Sequence, residues 1–122
     1  MVWDRHLARR AQELANTCVT NHDLTTLCNG EKLGQNLYAE TIFNISAPVY
    51  HWWIEKNHYD MNSLSCDPGK QCGHYTQVVW RTSKRVGCAI KSCGDRIWGT
   101  GSSYYFVCDY SPAGNYEGQK PY

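Results

Sequence analysis

Net charge, long apolar runs and the short motifs of common hydrolases are what this chain lacks. Its 122 residues carry a formal charge of +1 and a pI near 7.6, so it has no basic footprint for a phosphate backbone, and nucleic acid is excluded as a partner. It contains no apolar run of about 18 residues, which excludes a membrane-spanning helix. HExxH is absent, which argues against a zincin, and so is G-x-S-x-G, the serine elbow of the α/β-hydrolases. The paired C-x-x-C spacing of a zinc ribbon is missing too. With no internal repeat and no linker, the chain reads as one domain, residues 1–122.

What the sequence does have is cysteine. Seven in so short a chain are liabilities in a reducing cytosol and structural assets in an oxidising space. None has an obvious general base beside it in sequence, so disulfides outrank metal ligation or catalysis. Asn44-Ile45-Ser46 is a glycosylation sequon at Asn44 and points the same way. The chain is therefore expected to be secreted and extracellular, with a leader either removed ahead of Met1 or left out of this sequence. Seven is odd, so one thiol is left over or pairs outside the chain.

The stretch Cys72–Ser83, CGHYTQVVWRTS, concentrates the chemistry. Tyr75, Val78, Val79 and Trp80 predict one apolar stripe on a short helix, with Thr82 and Ser83 on its polar side and His74 at its mouth. Upstream, Trp3, Leu7, Ala11, Leu14, Ala15 and Cys18 recur at steps of three and four, which predicts an amphipathic helix over 2–18. A polar loop over 21–32 carries His22 and Cys28, and a short strand follows over 33–39. Ser46 is placed to cap a helix with Pro48 in its first turn and Val49, Trp52 and Trp53 at helical spacing. Asp67-Pro68-Gly69 marks a long turn-rich loop between Cys66 and Cys72. Val86–Ser92 and Tyr104–Tyr110 read as an antiparallel pair of strands across a glycine-rich connection. The tail from Ser111 is polar and aperiodic. This order of elements indicates an α+β layered domain.

The residues also carry a family resemblance. GHYTQVVW at 73–80, followed by FVCDYSPAGNY at 106–116, resembles the two signature motifs of the CAP superfamily, or SCP domain: cysteine-rich secretory proteins, antigen-five allergens and plant pathogenesis-related class-one proteins. Trp3-Asp4, Gly34-Gln35-Asn36-Leu37, Trp52 with Glu55, and the closing Gln119-Lys120-Pro121-Tyr122 extend the likeness along nearly the whole chain. It implies a disulfide-stapled, three-layer α-β-α sandwich with a surface cleft, in most members without an established catalytic activity. The family's first helix has no counterpart ahead of Trp3, which would leave part of one sandwich face uncovered.

The same resemblance implies a set of site residues. His22 and His74 match the family's two cleft histidines, and Glu55 one of its two glutamates. Gln35 stands where many members have glutamate, and Asp109 where asparagine is more usual. The implied disulfides are Cys18–Cys93, Cys66–Cys72 and Cys88–Cys108, a choice that spacing alone leaves open. Cys28 is then unpaired: a buried or capped thiol in a monomer, or the link of a dimer. The family's lipid-binding members direct attention to Tyr59, Met61 and Leu64 as a sterol or lipid loop, and its plant members to a C-terminal signalling peptide beginning at Pro112, read by a protein receptor.

Two imidazoles from separate elements suit zinc or another borderline metal, with His22 and His74 as ligands. Glu55 and Gln35 would orient them from behind. The expectation is a weak, open site whose affinity fades as the imidazoles protonate in acid. His51, Glu55 and His58, at steps of four and three, form a competing constellation. As an enzyme the chain would be a hydrolase using Glu55 and His74, but Gln35 cannot supply a second acid. Binding in a defence, immune-modulating or venom-like setting is the expected function.

Overall fold

Asp4 decides where the first helix begins. Its carboxylate accepts the backbone N–H groups of His6 and Leu7 at 2.8 and 3.1 Å, which satisfies two of the free donors at a helix start. Helix α1 accordingly runs Arg5–Thr17 rather than from residue 2. The preceding Val2–Trp3 is a strand, β1, whose chain is held by Val2 N–H to Lys84 O and Asp4 N–H to Val86 O, both 2.8 Å. Trp3, expected on the apolar stripe, is exposed as a result. Leu7, Ala11, Leu14 and Ala15 are buried as their spacing predicts. The helix stops at Cys18, which takes a left-handed φ of 56° and is joined to Cys93.

The computed structural model describes residues 1–23 and 26–122. Its four-stranded sheet also contains β2 (Gly34–Glu40), and two longer strands designated β3 (Arg85–Ser92) and β4 (Tyr104–Ser111), in the order β1, β3, β4, β2. β1 runs parallel to β3, and the other pairs are antiparallel. Tyr105 and Val107 of β4 pack with α1 on one face. Cys108 and Tyr110 pack with Trp52 on the other, as strand alternation requires. That second face is covered by α2 (Ala47–Ile54) and α3 (Gly73–Val78), so the molecule is an α-β-α sandwich. α1 lies so close to β3 that a Cβ on Gly87 would stand 2.6 Å from the Asp4 carbonyl oxygen.

Among the described residues there are three disulfides: Cys18–Cys93, which ties the end of α1 to the end of β3, Cys66–Cys72, which closes the loop ahead of α3, and Cys88–Cys108. The last joins register partners on β3 and β4. Cys28 is free and exposed, not buried or capped. On the α2 face an apolar groove of about 450 Å3 lies open between Trp3, Pro48, Val49, Trp52, Ile90 and Phe106.

Two expectations are corrected by tertiary contacts, and the tail is given its place by others. α3 has only six residues, and its buried members are Tyr75, Thr76 and Gln77. Trp80 is buried beyond the helix end, and Ser83, assigned to a polar face, is buried as well. The reason is a polar bridge: the Gln77 amide donates to Ser83 Oγ at 3.0 Å and accepts from Gly114 N–H at 2.9 Å, so both polar groups can leave water. In α2, Val49 and Trp53 are exposed and Ser46 makes no side-chain cap; its own N–H is taken by Asn44 Oδ1 at 3.0 Å. The aperiodic tail is tied down: Arg81 N–H donates to the carbonyl of the buried Pro121, and the Tyr75 and Tyr122 hydroxyls meet at 3.0 Å.

Candidate metal-binding cleft

The edge strand β2 positions the site. Its second and third residues, Gln35 and Asn36, point to opposite sides of the sheet, so each can reach a histidine from a different layer. His22 arrives from the α1 side and His74 from α3. Both line one cavity of about 270 Å3, together with Gln35, Asn36, Gln71 and Asn115.

His74 is held from several directions. Its Nδ1 lies 2.6 Å from Glu55 Oε1, and its ring stacks against Trp52 at 6.1 Å with an interplanar angle of 11°. Asn36 Nδ2 donates to its carbonyl at 3.1 Å. Glu55, at the end of α2, spends its other oxygen on the Tyr75 N–H at 3.0 Å. A carboxylate only accepts, so Nδ1 of His74 carries the proton and Nε2 is the nitrogen left for a ligand.

His22 is held by an amide instead. Its Nδ1 lies 3.1 Å from Gln35 Oε1, and the same oxygen accepts the Asp23 N–H at 3.3 Å. Gln35 Nε2 donates to Asp23 Oδ1 at 2.9 Å and to Asp109 Oδ1 at 2.7 Å. Gln35 and Asp109, the two departures from the family pattern, are register partners across β2 and β4. Burial pushes the Asp109 carboxyl up to about 6; the Gln35 hydrogen bond acts against this, and the nearby Asp23 charge adds to it. Burial likewise raises the Tyr105 hydroxyl to about 12.

Among the described residues no group of three or more His, Cys, Asp or Glu side chains is arranged to hold a metal. A cation in the cleft would therefore take two protein nitrogens and complete its shell with water, which fits a borderline metal and not a hard one. The competing constellation does not converge. α2 ends at Ile54 and residues Glu55–His58 tighten into a 3₁₀ turn, which breaks the helical phase. His51 stacks on Tyr38 at 5.1 Å, His58 pairs with Asp67 at 3.3 Å, and Glu55 is committed to His74.

Elsewhere, Tyr59 and Leu64 line a separate groove of about 300 Å3 with Trp80 and Tyr116, whereas Met61 is not part of its wall. Asn44 is exposed. Asp23, Asn36 and Asp109 had no role in the site as read from sequence. The only hint was that Asp109 and Gln35 both break the family pattern.

The profile of the cysteine-rich secretory protein family matches residues 1–110. This chain belongs to that CAP family. Over its full length the CAP chain is 39% identical to the "Pathogenesis-related protein PR-1 type" of Sambucus nigra, covering 70% of that protein. It is 38% identical to "Peptidase inhibitor 16" of Bos taurus, of which it spans only 26%. Among solved structures, Schistosoma mansoni venom allergen-like protein 4 superimposes with a TM-score of 0.78 at 27% identity, over 99% of this chain and 72% of that one. "NaASP2 with Zn2+" superimposes with a TM-score of 0.74 at 26% identity, over 100% of this chain and 65% of that one. No helix among the described residues is long and apolar enough to cross a membrane.

Proposed function

We propose that this CAP chain is secreted and acts by binding, in a defence or immune-modulating setting, with a cleft that takes zinc or a similar borderline cation on His22 and His74. The observation carrying this reading is that both imidazoles line one cavity while each Nδ1 faces an oxygen acceptor. Each ring is then fixed in orientation, and its Nε2 lone pair is left for a ligand. Three disulfides suit an extracellular setting. The relatives' names, pathogenesis-related protein and peptidase inhibitor, suit a defensive or regulatory role, and one structural neighbour, NaASP2, was solved with Zn2+, which makes zinc the first metal to test.

Titration calorimetry with zinc chloride is the test. Binding is expected to weaken at least tenfold in His22→Ala and in His74→Ala, and to weaken in acid as protons compete for the imidazoles. Unchanged affinity in both variants removes them as ligands. A hydrolase built on Glu55 and His74 is disfavoured because both Glu55 oxygens are engaged and position 35 offers only an amide. The Tyr59–Leu64 groove supports sterol or lipid binding as a second reading, since its walls combine apolar rings with an open mouth. Competition with labelled cholesterol checks it, and no displacement rejects it. Release of a peptide from Pro112 is disfavoured by the contacts that pin the tail to α3.

A further inference from the structure

An amide side chain can face a histidine in two ways, oxygen first or nitrogen first, and the two choices select opposite imidazole tautomers. At Gln35 the choice is made from behind. Its nitrogen lies between two carboxylate oxygens, Asp23 Oδ1 at 2.9 Å and Asp109 Oδ1 at 2.7 Å. A flipped amide would set its oxygen against both carboxylates and its nitrogen against the Asp23 N–H, losing three hydrogen bonds at once. Of the two carboxylates, Asp23 is exposed and its bond competes with water. Asp109 is 2% exposed and sits on the central strand, so its hold on the amide persists.

We propose that Asp109 is the positioning residue of the cleft: it fixes the Gln35 amide with its oxygen toward His22, so that His22 is protonated on Nδ1 and presents Nε2 to a cation. The negative charge that steadies His22 stands one residue further from the cavity than the one that steadies His74, where Glu55 touches the ring directly. The cavity is then lined on the His22 side by a neutral group. This favours metals that prefer imidazole nitrogen over calcium or magnesium, which require several oxygens. This metal preference rests on the cation-binding reading above, whereas the tautomer assignment does not.

The test is a long-range proton–nitrogen correlation spectrum of the histidine rings in the metal-free full chain, paired with zinc titration. In the unsubstituted chain His22 is expected as the Nδ1-protonated tautomer. Asp109→Ala is expected to give a mixture of tautomers and about tenfold weaker zinc binding. Asp109→Asn, which keeps an acceptor oxygen for the Gln35 nitrogen, is expected to restore both. A His22 tautomer unchanged in Asp109→Ala overturns the assignment, as does an Nε2-protonated His22 in the unsubstituted chain. Should Asp109→Ala fail to fold, the comparison moves to Gln35→Leu, which removes the amide that Asp109 holds against His22. His22 is then expected as a mixture of tautomers, whereas a ring still wholly protonated on Nδ1 counts against the proposal. If no variant binds zinc but the tautomers behave as stated, the cation-binding reading fails and the positioning role stands.

Discussion

Replacing Asp109 with asparagine tests the electrostatics of the interior directly. The carboxyl is raised from an ordinary 3.8 to about 6, chiefly because burial removes its hydration. An acid raised on folding binds its proton more tightly in the native state than in the unfolded chain. Its contribution to stability is therefore complete below the unfolded value and is lost as pH rises through the native one. The gap corresponds to roughly 3 kcal/mol at 1.36 kcal/mol per pH unit. An asparagine side chain has the shape of the protonated acid and does not ionise. The stabilities of the two chains should thus lie close together near pH 3.5 and diverge between about pH 4 and 6, with the asparagine chain ahead by up to about 3 kcal/mol at pH 7. Urea denaturation with disulfides intact, followed by tryptophan fluorescence over a pH series, measures this difference. A difference that is constant across the series would refute the assignment of a buried, titrating carboxylate.

Gly87→Ala should destabilise the fold by about 2 kcal/mol or more, because the added methyl meets the α1 backbone, and a loss below about 0.5 kcal/mol by the same denaturation assay would show that α1 can move away. Gln77→Leu leaves the Gly114 N–H without its acceptor and should cost about 1–3 kcal/mol, read as a lower urea midpoint with an unchanged slope. Cys28 is exposed and unpaired, so the native chain should be labelled by a thiol reagent without denaturant and Cys28→Ser should not; equal labelling would place the free thiol elsewhere.

Much of the fold was legible because its signals are local. The three-and-four spacing of Leu7, Ala11, Leu14 and Ala15 announces α1, and only its start was misplaced. That start depends on Asp4 accepting two backbone donors while Val2 and Trp3 pair with a strand more than eighty residues away. The alternation and β-branched content of the two long strands announced an antiparallel pair, and the structure adds only the register pair Arg85–Ser111 at one end. The α3 stripe was read from apolar residues alone, so it could not include Thr76 and Gln77, whose burial depends on partners in the tail. His51, Glu55 and His58 looked like one cluster because sequence spacing assumes an unbroken α-helix, and the tightened turn after Ile54 separates them.

The amino-acid sequence by itself determined the layered class, the family and the candidate histidines, since these follow from periodicity and from motifs that can be read in order. Only the tertiary structure decided how those histidines are held. The groups behind His22 come from a loop, an edge strand and the central strand, with Gln35 and Asp109 lying 74 residues apart. Strand register makes them neighbours, and burial, which belongs to the packed molecule and to no single stretch of chain, gives the carboxylate its altered chemistry.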